Sequence, residues 1–189
     1  MVSQNNYFQY LKNRSLLGLV YRKFWLYPKL NYFLVGKVLD LGCGIGDFLS
    51  YRKKTVGIDI NSKMVDWGLS QGHIAVKMET DSLPFENNGF NSVIMDNVLE
   101  HIVNPESILN EVHRVLVSDG IFLVGVPGSL GYKKDSDHKV FYSQDNLVRT
   151  LNNNGFQLKK IFAMPLNFKL FDKYLSQYCI YGIFVRIEN

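Results

Sequence analysis

Short apolar runs alternate with helical stripes along most of the chain, and that rhythm predicts an α/β sheet. Val38–Leu41, Thr55–Ile60 and Phe90–Met95 are brief runs rich in Val, Ile and Leu. Strands buried on both faces have this composition. A shorter run covers His73–Lys77, and Ile121–Val126 follows the turn Ser118-Asp119-Gly120. Between the runs lie helical patterns. One passes through Phe48 and Leu49 to about Arg52. A second, Ser62–Ser70, turns Met64, Val65 and Leu69 inward. A third begins at Asn104 as N-cap with Pro105 in the first position, and buries Ile108, Leu109, Val112, Val115 and Leu116. A fourth is capped by Ser143 and ends near Asn154-Gly155. Phe156–Met164 and Tyr181–Ile187 read as the last two strands. Pro127 to about Val140 reads as a loop, and Phe168, Phe171, Tyr174, Leu175 and Tyr178 fall on one helical face within Asn167–Cys179.

The N-terminus breaks the rhythm. Residues 7–27 are dense in aromatics, and Leu17, Val20, Tyr21, Phe24 and Trp25 recur at spacings of three and four. One or two amphipathic helices are predicted, weakened at Gly18 and ended by Pro28. Three readings stay open: a helix packed on the domain, a lid over a site, or a basic aromatic face on a membrane surface.

Charge sharpens this division. Residues 1–37 carry Lys12, Arg14, Arg22, Lys23, Lys29 and Lys37 and no acid. That is +6 in a chain of net +4, which leaves −2 for the other 152 residues. A nearly neutral body argues against a broad nucleic-acid face. No apolar run reaches the roughly 18–20 residues of a membrane span, and no signal peptide is expected. Cys43 and Cys179 are far apart in sequence, which points to a reducing cytoplasm without disulfide or zinc.

The chemistry gathers at the first strand. Val38-Leu39-Asp40-Leu41 runs into a turn with Gly42, Gly44 and Gly46, and a helix follows. Such a turn brings free backbone N–H groups to a ligand. A dinucleotide fingerprint has its third glycine one residue later, and Asp47 is a poor neighbour for a pyrophosphate. The loop suits a ligand with a sugar and a cationic or zwitterionic part. Asp59 lies 17 residues after Gly42, at the end of the next strand. A carboxylate there can accept from both hydroxyls of a ribose. It could instead cap the next helix, although Asn61 and Ser62 are equally placed for that.

Taken together these segments resemble the class I S-adenosylmethionine-dependent methyltransferases. The resemblance rests on Val38–Leu49, Gly57-Ile58-Asp59-Ile60, Asp81-Ser82-Leu83-Pro84-Phe85, Leu99-Glu100-His101, and the block from Glu111 through Val124. It covers residues 36–165, and His138-x-x-Phe-Tyr-Ser143 resembles the small-molecule and glycan branch. The resemblance implies a seven-stranded, doubly wound, mostly parallel sheet with an antiparallel last strand. Residues 1–35 would then be an N-terminal segment and 36–189 the S-adenosylmethionine-binding domain. The cofactor would be held by Asp40, Gly42, Cys43, Gly44 and Gly46. Asp59 and Ile60 would serve the ribose, and Asp81, Ser82 and Leu83 the adenine. Asn97 and His101 would stand at the reacting end, with Tyr132, His138 and Tyr142 on the acceptor. His138 is a candidate general base, since its ordinary pKa near ~6.5 lets it accept a proton at neutral pH. An acceptor-orienting or a structural role stays open for it.

The resemblance further implies a small-molecule, sugar or lipid-linked acceptor methylated on oxygen or nitrogen. No nucleic-acid partner and no metal are expected, and residues 7–27 are the segment for any membrane contact. A nicotinamide-dependent oxidoreductase and a non-catalytic S-adenosylmethionine-binding module are the competing readings.

Overall fold

A computed structural model describes residues 15–188. Tyr7, Phe8 and Tyr10 of the N-terminal pattern lie outside the described residues. Strands β1 (Val38–Leu41), β2 (Val56–Asp59), β3 (Ile74–Lys77), β4 (Phe90–Asp96), β5 (Leu116–Pro127), β6 (Phe156–Met164) and β7 (Cys179–Arg186) form one sheet. Their order is β3-β2-β1-β4-β5-β7-β6. The first five pair in parallel, and β7 runs antiparallel to both β5 and β6. The seven-stranded doubly wound expectation is met, including the antiparallel last strand.

Alternation along the strands sorts side chains between two cores. Leu39, Leu41, Val93, Met95, Phe122 and Val124 face one core. Val38, Ile94 and Leu123 face the other. Helices α5 (Glu106–Val115) and α7 (Gln144–Asn153) supply Ile108, Leu109, Val112, Leu147 and Leu151 to the first. The second is closed by the N-terminal segment through Leu26, Tyr27, Leu30 and Leu34, which meet Phe48 and the late-strand residues Phe162, Met164, Tyr181 and Ile183.

That N-terminal segment departs from expectation at Pro28. Helix α1 (Leu16–Tyr21) passes through a π-helical stretch, Arg22–Leu26, into α2 (Tyr27–Asn31). Proline sits in the first turn of α2 instead of ending the run. The wide turn re-registers the backbone, with the Tyr27 N–H donating to Arg22 O, five residues back. A proline opening a fresh turn has no hydrogen bond to lose. At Gly18 the N–H donates to the Oγ of the N-cap Ser15.

Other elements shift modestly. Helix α3 covers Asp47–Tyr51 and α4 covers Ser62–Ser70. In α4 Leu69 is exposed, and Gly68 takes the inner position against Ala75. The third helical stripe starts at Glu106 with no side-chain cap, so Asn104 is not its N-cap. Part of the expected 127–140 loop is a short helix, α6 (Ser129–Lys134). The aromatic stretch after β6 holds only a 3₁₀ turn, Lys169–Lys173, with Phe168 and Tyr174 exposed and Tyr178 buried. A single aromatic face there would need more helix than the chain forms.

Candidate functional site: an acid-lined cavity at the strand ends

A cavity of about 630 Å³ opens at the carboxyl ends of β1, β2 and β4, where an open α/β sheet places its ligand. Its floor is the turn after β1. Gly42 has φ +78°, and a Cβ there would stand 2.3 Å from Val98 Cγ2. Only glycine lets this backbone lie so close to the β4 loop. The Gly44 N–H donates to Asp59 Oδ2 at 2.9 Å, which fixes the turn against β2. The other oxygen of Asp59 accepts from Asn61 N at 2.8 Å. Asn61 itself caps α4 by accepting from Lys63 N, so Asp59 is not the helix cap.

The wall is acidic. Asp40, Asp47, Asp59, Asp81 and Asp96 all line it. Burial, followed by the charges of Asp96, Asp59 and Asp47, pushes the Asp40 carboxyl well above the usual range. Burial also raises Asp59, against the opposing pull of its backbone N–H donors. A diphosphate would meet these carboxylates at close range. A ligand carrying a positive sulfonium and ammonium is favoured there, because opposite charge returns an acid to its ionised form. Cys43 also lines the cavity, and burial raises its thiol far above the ordinary range, so it acts through its size.

The segment after β4 shapes the third wall. Asn97 adopts φ +56°, a left-handed conformation that asparagine tolerates better than most residues. Its N–H donates to Gly125 O, and its Nδ2 donates to Asp96 Oδ1 at 2.8 Å. Tyr181 OH donates to the same oxygen at 2.9 Å. Gly125 leaves room for this group, since a Cβ there would meet both Tyr181 and Asp96.

The methyltransferase-domain family profile matches residues 39–124. Over that stretch the chain is similar to the class I S-adenosylmethionine-dependent methyltransferases. It is an enzyme of that kind, and S-adenosylmethionine is its cofactor. The residues present fit that group, through the glycine turn, the acceptor-only carboxylate at Asp59 and the acid-lined wall. The nicotinamide and non-catalytic readings fall with this assignment. An uncharacterized protein of Methanocaldococcus jannaschii is 28% identical over 149 residues, covering 73% of this chain and 72% of its own. A human protein named probable tRNA methyltransferase 9B is 27% identical over 132 residues, 65% of this chain but 28% of its own length. The crystal structure of an S-adenosylmethionine-dependent methyltransferase from Thermotoga maritima superposes with a TM-score of 0.74. It is 18% identical and covers 96% of this chain and 98% of its own.

Within this methyltransferase the sequence-predicted residues separate into two groups. Asp40, Gly42, Cys43, Gly44, Asp59, Ile60, Asp81, Asn97 and His101 line the cavity. Gly46, Ser82 and Leu83 lie off its wall. Gly46 opens α3 at φ +81° with the His73 ring beside it. The Leu83 N–H donates to Glu111 Oε2 at 2.8 Å, and Leu83 O accepts from Arg114 Nη2 at 2.9 Å. The acceptor-side residues Tyr132, His138 and Tyr142 are also off the wall. His138 is nearly buried, with Nδ1 bonded to Tyr132 O at 2.9 Å and its ring stacked on Tyr132. Tyr142 is buried, which, with Glu106 and Glu100 nearby, raises its phenol to about 12.

Lining residues missed in the sequence reading include Arg22, Tyr27 and Asp96. Arg22 and Tyr27 come from the N-terminal segment, and Asp96 ends β4. Burial opposes the Arg22 charge, and Tyr27 and Asp96 outweigh it. Asp96 could have been found from its place at the carboxyl end of a buried strand. No sequence signal singled out Arg22 among six cations.

Proposed function

We propose that this enzyme transfers the methyl group of S-adenosylmethionine to an oxygen or nitrogen of a small-molecule or sugar acceptor carried on a lipid. The observation that carries the reading is the place of the N-terminal segment. Arg22 and Tyr27 share the cavity wall with the glycine turn, while Leu16, Leu17, Val20, Phe24 and Trp25 of the same segment face outward and are exposed. One segment thus touches the site and offers an apolar face beside it. Trp25 Nε1 donates to Pro165 O, next to the exposed Leu166 and Phe168. Lys23 and Lys29 on this segment are exposed too, and the combination suits an anionic lipid surface. No helix among the described residues is long and apolar enough to cross a membrane.

In this reading Gly42 to Gly44 take the amino-acid end of the cofactor, Asp59 and Ile60 the ribose, and Asp81 the adenine amine. When bound, the cofactor supplies a methyl group activated by a sulfonium. The protein holds the acceptor atom in line with it, and positioning of that kind can supply about 7–11 kcal/mol. Asn97 and His101 border the space where that atom would lie.

The test supplies the purified enzyme with methyl-labelled cofactor and three acceptor pools from one cell extract: lipid, water-soluble small molecules, and tRNA. Label in the lipid pool, reduced in Arg22→Ala, supports the reading. Label confined to the water-soluble pool or to tRNA overturns the lipid-linked acceptor.

A further inference from the structure

We infer that Glu100, His101 and His138 form a binding site for one divalent transition-metal ion beside the methyl-transfer cavity. One ligand atom from each lies within 4.8 Å of the others. The chain builds this meeting deliberately. A 3₁₀ turn after β4, Leu99–His101, places Glu100 and His101 side by side. The backbone carbonyl of Glu100 then accepts from Lys139 N at 2.8 Å and Val140 N at 3.0 Å. These two bonds bring His138, 38 residues further along than Glu100, against the turn.

The orientation of the imidazoles matches metal ligation. His101 Nδ1 pairs with Asp137 O at 3.2 Å, and His138 Nδ1 pairs with Tyr132 O at 2.9 Å. A ring whose Nδ1–H donates to a backbone carbonyl presents its Nε2 lone pair, the arrangement that orients histidine ligands. The rings meet edge to face with centroids 4.8 Å apart. His138 Nε2 is 3.7 Å from Glu100 Oε1 and 3.9 Å from Asp135 Oδ2.

Glu100 is the second, independent observation. Its residue is 0% exposed, and neither carboxylate oxygen has a hydrogen-bond partner among the described residues. A buried polar group without a partner is costly, and a buried carboxylate more so. A cation between Glu100 and the two histidines removes that cost. Ligand atoms about 2.1 Å from zinc lie roughly 3.4 Å apart. The observed spacing closes to that by side-chain adjustment. Two imidazoles and a carboxylate suit zinc, manganese or ferrous iron better than magnesium, which favours oxygen ligands and retained water.

His101 also lines the cofactor cavity, so a remaining coordination position would face the acceptor. That last step rests on the methyl-transfer reading; the ion site does not.

Full-length protein stripped with chelator is titrated with Co²⁺, Zn²⁺, Mn²⁺ and Mg²⁺ separately. The readouts are the visible spectrum of bound Co²⁺, retained metal after dialysis, and the shift in melting temperature. One equivalent of Co²⁺ or Zn²⁺ should bind, with a ligand-field spectrum and a raised melting temperature. Affinity should fall at least about tenfold in His138→Ala, His101→Ala and Glu100→Gln. Far-ultraviolet circular dichroism of each metal-free variant confirms that it is folded, and a variant that fails this control is replaced by His138→Gln or His101→Asn. Binding of no transition ion, binding of Mg²⁺ alone, or equal metal retention in the His101→Ala/His138→Ala protein overturns the site. Metal binding without binding of S-adenosylmethionine would overturn the functional reading and leave the ion site standing.

Discussion

Asp59 joins the glycine turn to its ligand wall, since one oxygen holds Gly44 N–H and the other Asn61 N–H. Asp59→Ala should weaken S-adenosylmethionine binding by at least about 1.5 kcal/mol, the scale of a hydrogen bond to a charged group. Isothermal titration measures this directly, and unchanged affinity would remove Asp59 from the cofactor site. Asp40 makes a prediction about protons. Burial and three neighbouring acids hold its carboxyl above the usual range. A positive ligand stabilises the ionised form, so binding should release a proton. Affinity should therefore rise with pH through the range above ordinary carboxylates. Calorimetry in buffers of different ionisation enthalpy checks the release, and Asp40→Asn should abolish it. These residues were legible because acid and glycine positions follow from strand ends. Ser82 and Leu83 lie off the cavity wall, and local sequence does not show that Glu111, 28 residues on from Leu83, engages the Leu83 N–H.

That pairing acts at the level of the element. Glu111 and Arg114 on α5 clamp the turn that carries Asp81, with Arg114 donating to Leu83 O, Phe85 O and Asn87 Oδ1. Hydrogen bonds from Arg114 hold the Glu111 carboxyl below its usual range. A depressed folded-state value means the stabilisation is complete above the unfolded pKa of about 4.3 and is lost as pH falls through the folded value. Glu111→Gln should thus lower stability at pH 7, and the gap from the parent should close in acid. Solvent screening limits the effect to about 1 kcal/mol. Thermal melts at pH 7 and in acid test it. The N-terminal segment gives a contrast between its faces. Leu30 is fully buried, and Leu30→Ala should cost about 2–5 kcal/mol. Phe24 is 68% exposed, and Phe24→Ala should change stability by less than about 0.5 kcal/mol. The same change should reduce binding to anionic vesicles in sedimentation; undiminished binding would exclude this face as the membrane contact. The helical character of the segment was visible in spacing, but the π-helical passage through Pro28 was not, because spacing carries no hydrogen-bond register.

At the scale of the whole molecule, the seven-stranded, mostly parallel sheet followed from the alternation of strand and helix together with the family resemblance. The convergence at Glu100 did not. His138 and Glu100 meet through backbone bonds across a loop, and no periodicity records such a meeting. The second core has the same non-local character. Leu26, Tyr27, Leu30 and Leu34 pack on Phe162, Met164, Tyr181 and Ile183, so the beginning of the chain is completed by its end. In the order of synthesis this segment precedes β6 and β7 and has no finished surface to settle on until they have followed. During synthesis, an apolar aromatic stretch would wait in the open for more than 100 residues of translation, a window in which a chaperone or a lipid surface could hold it.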